Sequence, residues 1–152
     1  MDPAYPYTLT YTLLNESSAN PTFSATLDIK NYNDTSSWKT DGKSGMYLAL
    51  GYNAQVMALA DVTFCNFKYF GRANDSFECF DINYDIFKVA QFVERNDIRN
   101  VRTVVANQAT GNFAVSFERA FLSNETGKDS NLTLGLTPII WSFGSIANGF
   151  PQ

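Results

Sequence analysis

The chain has 152 residues, enough for one domain with a single sizeable core, and only 17% of them are charged, below the roughly 25% usual in soluble domains. The net charge is −4 and the 11 Lys and Arg are scattered, so a phosphate-binding footprint is missing and nucleic acid is excluded as a partner. Histidine is absent altogether, which removes Ser-His-Asp and Cys-His nucleophilic sites, His-based zinc centres and the usual proton shuttle.

The chain opens on "MDPAYPYTL", which has neither the basic start nor the apolar core of a secretory signal, so a secreted form would be a mature piece. In "YTLTYTL", Tyr7, Leu9, Tyr11 and Leu13 fall on one face and the threonines on the other. "FSATLDIK" repeats this, with Phe23, Ala25, Leu27 and Ile29 inward. Strict alternation of aromatic and branched residues predicts half-buried antiparallel strands. The first of these, "PYTLTYTLLN", has no charge, which marks it as an edge strand able to pair with another chain.

A turn-rich segment, "NDTSSWKTDGKSG", comes next, and its part "NYNDTSSWKTDG" (31–42) holds calcium-favouring oxygens without EF-hand spacing. "GMYLALGY" (45–52) and, later, "TPIIWSFG" (137–144) are apolar on both faces, which predicts strands covered on both sides. After "VMALADVTFC" and the turn "GRANDS", a short helical turn is expected around "DIFKVAQFVERN" (85–96). "VRTVVANQ", the turn "ATGN" and "NFAVSFER" predict two more strands, the last with Phe113, Val115 and Phe117 inward. No stretch approaches 18 consecutive apolar residues, so no membrane span is expected. The whole reads as a single domain, residues 1–152, an all-β antiparallel sandwich of immunoglobulin-like type with about nine to eleven strands.

Five N-x-[ST] sequons, at Asn15, Asn33, Asn74, Asn124 and Asn131, fall in the predicted turns, where a glycan could project into water and compensate for the low surface charge. They point to the secretory route and so to a bridge between the two cysteines, Cys65 and Cys79, rather than to two free buried thiols. Closing a loop of that span stabilises by roughly 3 kcal/mol.

In order, "GMYLALGYN", "VMALADVTFC", "VSFERAFLSNETGKDSNLTL" and "PIIWSFG" resemble the recurrent segments of DOMON domains, extracellular β-sandwich modules related to the cytochrome domain of cellobiose dehydrogenase. The resemblance covers about residues 7–150. In haem-binding members a b-type haem is held between a methionine and a histidine, and the resemblance places Met57 at the methionine position. The histidine would follow the "W-x-x-G" strand; this chain reaches Gln152 without one, so the ligand would lie beyond Gln152 or on a partner.

Against that stands the ordinary reading of Met57, and of Met46, as core packing. Trp141 is expected to fill the sandwich, whereas Tyr47, Tyr52 and Phe143 could line a cofactor pocket. Asp61 reads as an edge or turn carboxylate satisfied by backbone N–H groups, and Arg119 as a structural residue that could pair with such an acid across the sheet. Two functions therefore stand side by side. One is a secreted, glycosylated, non-catalytic module that binds extracellular proteins or glycans, or assembles with itself or others, as a free protein or as the ectodomain of a membrane protein. The other is a b-type cytochrome electron-transfer domain with Met57 as one axial ligand.

Overall fold

The alternating segments fold as their period requires. The computed structural model describes residues 6–53, 61–83, 93–94, 97–123, 131–133, 137–148 and 150–151. Within them lie ten strands: β1 (Tyr7–Leu14), β2 (Thr22–Ile29), β3 (Gly45–Tyr52), β4 (Asp61–Lys68), β5 (Phe77–Asn83), β6 (Val93–Glu94), β7 (Ile98–Asn107), β8 (Asn112–Ala120), β9 (Ile139–Ala147) and β10 (Phe150–Pro151). They form two antiparallel sheets, a four-stranded one in the order β1-β2-β8-β7 and a six-stranded one in the order β10-β9-β3-β4-β5-β6. The chain crosses between the sheets after β2, β6 and β8, so the antiparallel hairpins of each sheet face those of the other as a sandwich.

The inner faces hold the residues that the period of two assigns to them. Phe23, Ala25, Leu27 and Ile29 of β2, and Phe113, Val115 and Phe117 of β8, meet Met46, Leu48 and Leu50 of β3 in one core. Each such side chain removed from water contributes roughly 1.5–3 kcal/mol. Aromatic contacts tie the edges in: Tyr7 stacks on Trp141 with ring centroids 4.6 Å apart, and Trp38 meets Phe113 at 5.4 Å. Trp141 thus fills the sandwich as expected, and Met46 is fully buried core.

β3 is covered on both sides, as its lack of a polar face predicted. Ala49 packs on the outer face with Val62, Phe64 and Ile82, and Tyr47 stacks on Phe64 at 5.1 Å. The second doubly apolar run behaves differently. Most of β9 is half-buried and Ile139 is 45% exposed. Its neighbour on one side is the two-residue β10, so little of the described sheet extends over it.

The turn-rich segment after β2 contains one short 3-10 turn, Asp34–Ser37, and among the described residues no group of His, Cys, Asp or Glu is placed to hold a metal ion. At the β7–β8 turn Gly111 has φ +66°, and a Cβ there would lie 2.2 Å from the Tyr32 carbonyl oxygen, so only glycine fits. The helical turn expected over 85–96 falls outside the described residues except for Val93–Glu94, which form β6. Cys65 of β4 and Cys79 of β5 stand directly opposite one another in the ladder and are joined by a disulfide, Cα–Cα 4.0 Å.

Candidate functional site: an apolar cavity floored by a buried ion pair

At the β1 edge the two sheets do not close, and a cavity of about 190 Å³ opens between them. Leu9, Tyr11 and Leu13 of β1 form one wall, Leu50 and Tyr52 of β3 the floor, and Ile139 of β9 the opposite lip. The alternation that sends odd-numbered β1 residues inward puts them here, but β1 is the last strand of its sheet and no described strand flanks it. Tyr11 is therefore 69% exposed although it shares the inward face. Thr133 and Thr137 add hydroxyls to an otherwise apolar lining, and the Thr137 hydroxyl donates to the Thr133 carbonyl at 3.3 Å, leaving its lone pairs available.

The floor is held from below. The Tyr52 ring lies 4.5 Å from the guanidinium of Arg119, and its hydroxyl shares a 2.9 Å hydrogen bond with Thr63. Arg119 comes from β8 in the other sheet and donates to Asp61 of β4 at 2.5 Å, with both side chains almost fully buried. Asp81 and Asp97 are buried too and add to the negative field around this cation. Burial works against the Arg119 charge. The fields of Tyr52, Asp61, Asp81 and Asp97 outweigh it, and the guanidinium is held more firmly protonated than in water. The Tyr52 phenol moves far above its ordinary range chiefly through burial, although Arg119 and Thr63 pull the other way. Burial likewise raises Tyr7, with Tyr52 adding to it.

This arrangement is suited to binding rather than to bond-making. An ion pair sealed from solvent fixes the orientation of one aromatic floor, and the space above it is lined mostly by apolar side chains and open at the β1 edge. The volume is slightly larger than the roughly 150 Å³ cavity that accepts benzene, so it takes a single ring or a short branched chain. A four-ring porphyrin is too large for this lining, whose described residues also offer no sulfur or imidazole ligand. The cavity therefore does not fit haem. Met57 lies in the β3–β4 connection, outside the described residues.

The residues singled out from the sequence divide accordingly. Arg119 and Asp61 come together as the expected pair. Tyr47, Tyr52 and Phe143 do not share a pocket: Tyr47 is on the outer face, Phe143 packs edge-on to Tyr32 at 6.4 Å, and only Tyr52 lines the cavity. Asn15, Asn33, Asn74 and Asn131 are all exposed, outside the strands, and Asn124 lies outside the described residues. The cavity walls Leu9, Leu13 and Ile139 went unnoticed, because alternation does not distinguish a side chain facing a void from one facing another side chain. The buried Asp81 did leave a signal: it shares the parity of Phe77 and Cys79.

Comparisons with protein-family models, with curated proteins and with solved structures find no match to this chain.

Proposed function

We propose that the chain is a secreted, N-glycosylated, non-catalytic β-sandwich module of the DOMON kind, serving to bind and assemble extracellular proteins. The observation that carries this reading is the apolar cavity at the open edge, whose rim exposes Tyr11 and Ile139 to a partner. Its occupant is one aromatic side chain of that partner. The ring fills the void, and its polar tip, an indole N–H or a phenol O–H, meets the Thr133 and Thr137 oxygens. The Cys65–Cys79 bridge and four exposed sequons support an oxidising, glycosylating route, either to the extracellular space or to the ectodomain of a membrane protein. Among the described residues, no helix is long and apolar enough to cross a membrane.

The test uses indole as the probe for that aromatic group. Calorimetric titration should show saturable binding to the wild type that is lost in Leu13→Trp, a substitution that fills the void from its wall. Absence of heat with the wild type, or unchanged binding in Leu13→Trp, would refute the site. A parallel haem titration should leave the protein without a Soret band that depends on Met57.

A further inference from the structure

Sheet edges are templates for pairing, and proteins normally guard them with short strands, charges, proline or bulges. Among the described strands, three of the four edges are guarded in this way. β6 and β10 are two-residue strands, and β10 contains Pro151. β7 carries Arg99 and Arg102 and breaks register between Arg99 and Arg102 and again between Thr103 and Val105. β1 has none of these devices. Its eight residues pair with β2 in one unbroken register, and none is charged or proline.

The hydrogen-bond pattern shows which backbone groups face outward. Lys30 N–H donates to the Pro6 carbonyl at 3.2 Å, and Phe121 N–H donates to the Pro21 carbonyl at 2.8 Å. Pro6 and Lys30 are thus a bonded pair, so the even-numbered residues of β1 point their amides at β2. Tyr7, Leu9, Tyr11 and Leu13 then point theirs at the free edge. The same four residues send their side chains toward the core and cavity side.

We propose that β1 pairs antiparallel with β1 of a second copy of this chain, joining two four-stranded sheets into one of eight strands about a two-fold axis through Thr10. Directly opposed residues must share a face, and the register that bonds the most free amides sets Tyr7 against the partner's Leu13 and Leu9 against the partner's Tyr11. Those four odd-numbered pairs exchange their amide and carbonyl bonds along the whole edge. On the outer face Thr8 meets the partner's Thr12, and Thr10 meets its own copy. Self-pairing is favoured over a foreign strand by three features. Every opposed pair is aromatic–aliphatic or Thr–Thr, both good cross-strand partners. No charge faces its like, despite a net charge of −4. The exposed Tyr11 is covered by Leu9 from the partner. The inference rests on the assembly half of the function proposed above and names its partner, at the backbone edge of the strand whose side chains wall the cavity.

Sedimentation of the full chain should give a species of twice 17.0 kDa whose population rises with concentration. Tyr11→Lys places a guarding charge at a solvent-exposed position and should weaken the dimer by at least about tenfold in Kd while the circular dichroism stays β. Cysteine scanning reads the register independently. Thr10 and its copy form a non-hydrogen-bonded pair with Cα atoms about 4.5 Å apart, within disulfide reach. Under mild oxidation Thr10→Cys should give a covalent dimer, whereas Thr12→Cys alone should not and should cross-link only when mixed with Thr8→Cys. A wild type that stays monomeric to about 1 mM, a dimer indifferent to Tyr11→Lys, or cross-linking of Thr12→Cys to itself in place of Thr10→Cys would overturn the pairing. Thr10→Lys sets two lysines opposite one another on the outer face and leaves the cavity lining unchanged, so indole titration of that monomer tests the cavity separately and failure of one reading is distinguishable from failure of the other.

Discussion

Replacing Arg119 by methionine keeps most of its length and removes its charge. Asp61 then loses its buried ion-pair partner, and Asp81 and Asp97 lose the field of the same cation; none of the three is more than 5% exposed. Breaking a buried pair by deleting one partner costs about 3–5 kcal/mol, because the remaining charge stays desolvated. Loss of the cation–π contact with Tyr52 adds about 1–2 kcal/mol in this dry setting. The sum, about 4–7 kcal/mol, takes most of the stability of a typical domain. At roughly 2–4 °C per kcal/mol, Tm falls by about 8–28 °C. Urea unfolding followed by tryptophan fluorescence reads this well, since Trp38 and Trp141 both pack against the core. Asp61→Leu in the Arg119→Met background should recover a large part of the loss, giving a coupling of about 2 kcal/mol or more. If Arg119→Met lies within about 1 kcal/mol of wild type, the ion pair does not hold the cavity floor and the reasoning fails.

Other consequences are simpler to check. The Tyr7 hydroxyl is buried with no hydrogen-bond partner among the described residues, so Tyr7→Phe keeps the stack on Trp141 and should leave stability unchanged or raise it by about 1 kcal/mol in the same urea assay. Because burial raises the Tyr7 and Tyr52 phenols above their unfolded value near 10, their contribution is fully present below pH ~10. It is lost as pH rises further, at about 1.4 kcal/mol per pH unit for each phenol, and Tyr52→Phe should make the alkaline loss shallower in pH-jump unfolding. Replacing Cys65 and Cys79 together by alanine should cost about 3 kcal/mol by chemical denaturation. Peptide mapping of protein secreted from a glycosylating host should find N-glycans at the exposed Asn15, Asn33, Asn74 and Asn131.

Much of the architecture was legible because a strand writes its two faces directly into the sequence. The alternation in 23–30 and 113–117 assigns inward residues that are core, whereas in 7–13 only Tyr7 is fully core, Leu9 and Leu13 are partly buried and Tyr11 stays exposed at the open edge. The missing polar face of 45–52 anticipates a strand buried on both sides. Arg119 could have been read as buried from parity alone, since it continues the Phe113, Val115, Phe117 series. Its pairing with Asp61 was anticipated, but not that it spans the two sheets, because pairing across a sandwich depends on how the sheets are overlaid. The same limit hid the cavity. Whether Leu9 and Leu13 meet side chains or empty space depends on what lies beyond the last strand of the sheet, and a strand's own pattern carries no record of its neighbours. The lesser cover of β9 has the same cause, a two-residue flanking strand that hydropathy cannot weigh.

The most direct test of the binding role is a methyl-labelled nuclear Overhauser experiment on the chain saturated with indole. Cross-peaks from the indole ring to the methyl groups of Leu9, Leu13, Leu50 and Ile139 are the predicted result. A bound indole that touches none of these methyl groups, or an indole that does not bind, would contradict it.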